Sequence, residues 1–233
     1  MNVNQHKYYM LQILKDIYND KDLSSLLGFK GGTALMFFYN LPRFSVDLDF
    51  NLLDKEKEQL VYERVQTILL KYGRIIDAER KFYGPIIVLD YGAGERNLKV
   101  EISNRVFQNQ NHYELRSLLG INVKVMSVSD MFAHKLCALL DRAETTNRDV
   151  FDCWFFLENH TPINSSIVEE RMGKPLTDYI QDCINRLEAL NDKQMHVGLG
   201  ELLDGKMKNF VHTKLRQETI SLLHIFQAVP LVV

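Results

Sequence analysis

Cysteine is scarce in this 233-residue chain: Cys137, Cys153 and Cys183 are odd in number, isolated, and outside any C-x-x-C spacing. That pattern argues against a disulfide framework and a thiolate zinc site, and points to reduced thiols in an apolar interior. Proline is also rare, at five residues, and no Pro-rich linker, low-complexity tract or internal repeat is found. No apolar run approaches the roughly 20 residues of a membrane helix. The opening Met1-Asn2-Val3-Asn4-Gln5-His6 lacks the basic-then-apolar order of a secretion signal, so the expected location is the cytoplasm. An excess of one charge is missing too. With 28 Lys+Arg against 30 Asp+Glu, the formal charge of −2 argues against a globally basic nucleic-acid binder, and any RNA contact needs a local patch. The seven histidines show no metal-ligand spacing and are expected to be solvated or structural. Neither a P-loop Gly-Lys-Ser/Thr nor a G-x-G-x-x-G is present, which disfavours the two common glycine-rich nucleotide folds.

What is present is 46% hydrophobic residues, enough for the core of one large domain or two small ones. Met10, Leu11, Leu14, Ile17 and Tyr18 recur at helical spacing, and Leu23, Leu26 and Leu27 continue an apolar face until Gly28. Val61, Val65, Ile68, Leu69 and Tyr72 mark a helix that Gly73 ends. Strands are predicted at Pro85 to Leu89, Leu98 to Ile102 and Ile121 to Met126, with Tyr91-Gly92-Ala93-Gly94-Glu95 as a hairpin turn. From Ser129 the period becomes helical: Asp130 to Arg142, Arg148 to Glu158, a stripe from Leu176 to Leu190, and Val211 to Phe226, with a loop at Thr161 to Ser166. The expected organisation is an α/β (α+β) domain over residues 1–127 with a small mixed sheet, followed by a helical domain over 128–233.

The densest chemistry lies in Lys30-Gly31-Gly32-Thr33-Ala34-Leu35 and Arg43-Phe44-Ser45-Val46-Asp47-Leu48-Asp49-Phe50. Phe44, Val46, Leu48, Phe50 and Leu52 alternate with Ser45, Asp47, Asp49 and Asn51, so the predicted strand buries one face and turns both aspartates out of the other. At about 6 Å and an effective dielectric of about 20, two such charges repel by roughly 3 kcal/mol, so a cation is expected between them. Carboxylate oxygens suit a hard ion such as Mg²⁺, or Mn²⁺, whose remaining positions take waters and substrate phosphates. Gly31 and Gly32 let the backbone turn sharply before a helix over Thr33 to Tyr39, and the free N–H groups at that helix start suit an anion. Arg43 is placed to neutralise phosphate or to pair with an acid. Ser45 is placed to bond a phosphate oxygen or to solvate the strand.

A two-ion site needs a third carboxylate. Leu98, Val100 and Ile102 take one face of their strand and Lys99, Glu101 and Ser103 the other, so Glu101 is the best candidate; the bland alternative pairs it with Lys99 or Arg105. Asp90 is a weaker competitor. Farther on, Asp149 and Asp152 share a helical face at i, i+3, and Arg148 and Asp149 sit at the helix start. A buried Arg-Asp scaffold explains the same residues without catalysis. Lys206, Lys208, Lys214 and Arg216 form either an RNA-contacting patch or a solvated face, and Trp154, Phe155 and Phe156 read as helix core.

The order of glycine turn, short helix and Arg-x-Ser-x-Asp-x-Asp strand resembles the nucleotidyltransferase superfamily, and within it the AbiEii/AbiGii toxin family. Lys99-Val100-Glu101-Ile102-Ser103-Asn104-Arg105 is similar to that family's third-acid strand. His134-Lys135 through Asp141-Arg142, then Asn147-Arg148-Asp149-Val150-Phe151-Asp152, resembles its lysine, Asp-Arg and R-D-x-x-D blocks. The resemblance spans about Phe29 to Leu157. It implies a minimal nucleotidyltransferase fold with a helical domain that contributes to the nucleotide site. The implied reaction moves an NMP from an NTP to an acceptor hydroxyl on a tRNA end or a protein. Asp47, Asp49 and Glu101 would hold metal, and Gly31, Gly32, Thr33, Arg43, Ser45, Lys135, Arg148 and Asp152 would meet the nucleotide. Lys135 and Asp149 would also serve catalysis. It further implies a toxin of a toxin-antitoxin or phage-defence pair, with a separately encoded antitoxin as partner. Two other uses of these residues stay open at this point: a non-catalytic nucleotide-binding protein and a metal-dependent nuclease.

Overall fold

The computed structural model of the chain describes residues 2–92, 96–105, 111–141, 145–191 and 195–233. Ala93, Gly94 and Glu95 of the expected hairpin turn, and Arg142 of the Asp-Arg pair, lie outside the described residues. The chain forms two compact units. The first comprises Met1–Asn40, Phe44–Val106 and Tyr113–Met126, and the second Leu41–Arg43, Phe107–His112 and Ser127–Val233.

The first unit is built on one seven-stranded mixed sheet. Its strands are β1 (Leu27–Lys30), β2 (Asp47–Leu52), β3 (Arg74–Lys81), β4 (Gly84–Asp90), β5 (Leu98–Ser103), β6 (Tyr113–Leu118) and β7 (Ile121–Met126), in the order β3-β4-β5-β2-β1-β7-β6. β2 runs parallel to β5, and β1 parallel to β7; the other neighbours are antiparallel. Leu48, Phe50, Val100, Ile102, Phe29 and Val125 are fully buried. The helices are α1 (Val3–Asn19), the short α2 (Leu23–Leu26), α3 (Gly31–Phe38) and α4 (Glu58–Leu69). α1 buries Met10, Leu14, Ile17 and Tyr18 as their spacing predicts, with Ile13 buried rather than Leu11, and α4 buries Val61, Val65, Ile68 and Leu69 at their expected period.

The aspartate strand is shorter than its alternation suggests. Pairing begins only at Asp47, opposite Lys99 of β5, so Phe44, Ser45 and Val46 precede the sheet. Leu27 belongs to β1 rather than to a helix, because it pairs with Leu52. β3 and β6 carry no clean alternation of burial, which is why their sequences gave no strand signal: each is an edge strand with one neighbour. Gly28 leaves room for the Tyr113 ring; a Cβ there would stand 2.2 Å from it.

The second unit is helical. It comprises α5 (Val128–Asp141), α6 (Asn147–Glu158), α7 (Ser165–Met172), α8 (Leu176–Glu188), α9 (Gly205–Thr213) and α10 (Leu215–Ala228). α7 starts inside the expected loop, and the expected helix from Val211 to Phe226 is broken at Lys214, whose φ of −134° is not helical. Phe132 stacks on Phe156 at 5.0 Å, and the Tyr179 hydroxyl donates to the carbonyls of Leu136 and Cys137. Cys137, Cys153 and Cys183 are buried free thiols. Among the described residues no helix is long and apolar enough to cross a membrane.

One buried polar contact ties α1 to the start of β2. His6 is fully buried; its Nε2 donates to the Val46 carbonyl at 2.8 Å, and its Nδ1 shares a hydrogen bond with the Tyr91 hydroxyl at 2.6 Å. A carbonyl can only accept, so Nε2 carries a proton, and burial holds the imidazole pKa below its ordinary value, which favours the neutral ring. His6→Ala should remove both bonds and cost about 1–3 kcal/mol of stability, read by urea unfolding. A change of a few tenths would mean that the contact carries no structural role.

Candidate active site

Two polar clusters stand out, one in each unit. The first follows from strand register. Side chains at paired positions of neighbouring strands point to the same face. Lys30 of β1 pairs with Asp49 of β2, which pairs with Glu101 of β5, and one step along Asp47 pairs with Lys99. Three carboxylates and two ammonium groups therefore share one face, over a core of Leu48, Phe50 and Val100 on the other.

The glycine turn closes on this row. Gly31 opens α3 at φ +78°, a backbone region that disfavours side chains, and a Cβ there would lie 2.6 Å from Asp49 Oδ2. The carboxylate thus sits against the first turn of α3, whose N-cap residue Lys30 makes no side-chain cap bond. Thr33 is fully buried and its hydroxyl donates to the Asp47 carbonyl. With His6 holding the Val46 carbonyl, the two carbonyls around the Asp47 amide are both pinned. The Thr33 hydroxyl is committed to this tie, so any phosphate contact there would come from the backbone.

Charge crowding shows in the protonation of Asp49. Burial first, then the charges of Asp47 and Glu101, push its carboxyl pKa up to about 6, against the opposing pull of Lys30 and Lys99. Lys99 answers part of the excess: its Nζ lies 3.1 Å from Glu101 Oε2 and 3.7 Å from Asp47 Oδ2. Burial opposes the Lys99 charge, but Asp47, Glu101 and Asp49 outweigh it and raise the ammonium pKa. The Lys99–Glu101 pair is the bland alternative named from the sequence, realised beside the acids rather than instead of them. Among the described residues, no three His, Cys, Asp or Glu side chains are gathered closely enough to hold a metal ion as they stand. The donor set still suits one chemically: oxygen-only, hard, and short of positive charge. Ser45 is 8% exposed and lies outside the strand, so its place is not the outward β-face that alternation assigned to it. Asp90 is spent on the chain itself, pairing with Arg74 at 3.3 Å and accepting from the Gly92 amide.

The second cluster lies on α5 and α6, where the Lys and R-D-x-x-D blocks fall. Lys135 Nζ reaches Asp149 at 2.8 Å and Asp152 at 2.7 Å. Arg43 makes a bidentate pair with Asp152, both bonds at 2.7 Å, and both residues are buried. Thr146 caps α6, accepting from the Asp149 amide, while its hydroxyl donates to the Asp149 carboxylate at 2.6 Å. Arg148 is half-buried in the same first turn. Arg43 and Asp152, expected at the nucleotide, are each other's partners here, which is the scaffold alternative. Burial opposes the charge of Asp152, yet Arg43 and Lys135 hold its carboxyl below the usual range. Asp149 and Asp152 do lie on one face, as the i, i+3 spacing requires. Lys30 and His6 were given no site role from the sequence, and Lys99 was named there only as a partner for Glu101 on a shared face.

The chain matches the model of the family described as the nucleotidyl transferase AbiEii toxin of a Type IV toxin-antitoxin system over residues 12–216, and it belongs to that family. It is thereby a nucleotidyltransferase. Two solved structures share the fold. A candidate nucleotidyltransferase from H. pylori is 20% identical, with 96% of this chain and 97% of that one covered at a TM-score of 0.58. JHP933 from Helicobacter pylori is 21% identical, with 97% and 95% covered at 0.55. No match is found among the curated proteins.

Two predictions follow from the contrast between the clusters. Asp49 has a folded pKa above that of an unfolded aspartate, so the native state holds the extra proton and loses stability as pH rises through about 6. Asp49→Asn should therefore raise the metal-free melting temperature by a few degrees at pH 8 and by less at pH 5, and leave it nearly unchanged only below the unfolded pKa of 3.8. Lower stability at pH 8 would contradict the crowding. In the balanced second cluster the sign reverses: Lys135→Ala leaves two buried acids with one fewer cation and should cost about 3–5 kcal/mol in urea unfolding. A cost under 1 kcal/mol would mean that the pair is solvent-screened.

Proposed function

We propose that this nucleotidyltransferase moves an NMP from an NTP to an acceptor hydroxyl with release of pyrophosphate, and that it works with Mg²⁺ or Mn²⁺ at Asp47, Asp49 and Glu101. The observation that carries the metal assignment is the row Lys30–Asp49–Glu101 beside Asp47–Lys99, in which three acids on two parallel strands exceed the positive charge available. A divalent cation supplies charge neutralisation for the triphosphate and a lower pKa for an attacking hydroxyl. The chain's own residues do the positioning. Gly31 and Gly32 bring backbone amides at the start of α3 beside the carboxylates, where they can receive phosphate oxygens. Thr33 and His6 act behind Asp47, fixing the peptide that presents it. Such a site accelerates transfer by alignment and electrostatic stabilisation rather than by covalent chemistry.

Lys135, Asp149 and Arg148 enter this reading through the family's motif, with Lys135 offsetting nucleotide charge and Arg148 meeting the nucleotide; Arg43 and Asp152 then act as support for Lys135. The acceptor is a macromolecule, with a tRNA end and a protein hydroxyl as the two candidates, and the family's Type IV description implies a separately encoded antitoxin as counterpart. A role in phage defence fits the same setting.

Incubating the protein with each α-labelled NTP, Mg²⁺ or Mn²⁺, and either total RNA or total protein tests the reading. Label should move to one of the two acceptors. Asp47→Asn removes a charge but little volume, and should cut transfer by about a hundredfold or more while the protein stays folded. Shortened, unlabelled RNA would establish a nuclease instead, and NTP binding without product a non-catalytic module.

A further inference from the structure

Lys99 carries an inference that deepens the metal assignment and rests on it. Its side chain is 36% exposed, so the ammonium has solvent on one side and carboxylates on the other. Its stem is flexible and its head a compact point charge, which permits departure without unfolding the strand. An ammonium is satisfied at ion-pair spacing, here 3.1 Å from Glu101 and 3.7 Å from Asp47. Oxygens around Mg²⁺ need about 2.0–2.1 Å. The same acids therefore hold one kind of cation at present and must close up to hold the other.

We propose that Lys99 is the resident counter-ion of the carboxylate row: in the metal-free protein its ammonium takes the place of a divalent cation between Asp47 and Glu101, and metal binding expels it. Metal and lysine then compete for the same negative charge. The protein keeps a folded, partly neutralised site without metal, and in return binds free divalent cations less tightly than three bare carboxylates would. Register supports this role, since Lys99 stands directly opposite Asp47 and two places from Glu101 on the same face.

Mn²⁺ binding without NTP, followed by calorimetry and by the loss of the free-ion electron paramagnetic resonance signal, tests the competition. Wild type, Lys99→Met and Asp49→Asn are compared, with Lys99→Gln in place of the methionine variant should that one fail to fold. Removing one competing unit charge should tighten Mn²⁺ binding about tenfold in Lys99→Met. The rise in melting temperature on adding Mn²⁺ should also be larger than in wild type. Equal or weaker binding in Lys99→Met, with wild type binding and Asp49→Asn not, would overturn the counter-ion role and leave the metal site standing. Absence of Mn²⁺ binding in wild type and Lys99→Met alike would overturn both.

Discussion

Repulsion among Asp47, Asp49 and Glu101 is the constraint around which the first unit is arranged. Parallel pairing of β2 with β5 forces these carboxylates onto one face, and nothing in a β-ladder relieves the result. Relief comes from the surroundings: Lys99 and Lys30 lend positive charge, and α3 presents its first turn beside Asp49. The strand carrying the acids is anchored by burial of Leu48 and Phe50 and by the bonds that His6 and Thr33 make to the carbonyls of Val46, just before it, and Asp47, its first residue. Crowded like charge held in place by packing elsewhere is the usual mark of a site shaped for a ligand rather than for stability.

The helical unit solves the opposite problem. Lys135 and Arg43 face Asp149 and Asp152, two cations for two acids, and the bidentate Arg43–Asp152 pair is almost wholly withdrawn from water. Burying such a group is tolerable only when every charge is matched and hydrogen-bonded, and Thr146 completes the set for Asp149. The Lys135 and Asp149 pair joins α5 to α6. Family membership makes the chain an AbiEii nucleotidyltransferase, and the two clusters differ in how far their charges are balanced.

The chain shows where local pattern is informative. The 3.6-residue period in α1, α4 and α8 and the alternation in β2 and β5 are imposed by one-sided burial, so those elements could be read directly. Edge strands β3 and β6 bury little on either face and left no period to find. Lys214, an ordinary helix former, breaks α9 from α10 for no reason visible in its neighbours along the chain.

For the site, residue type and spacing alone determined which groups belong to one face: Asp47 with Asp49, Lys99 with Glu101, Asp149 with Asp152, each pair set by the geometry of a single strand or helix. They also determined that a turn needing glycine precedes the acids, and they brought the family into view. Tertiary structure decided everything that depends on distance between segments. It set Glu101 against Asp49 rather than one residue out of step, gave the Thr33 hydroxyl to Asp47, buried Arg43 against Asp152, and put the Lys99 ammonium among the acids. The reason is physical. Periodicity records which way a side chain points, whereas charge interactions fall with separation, and separation between distant parts of a chain exists only once the sheet and the helices have packed.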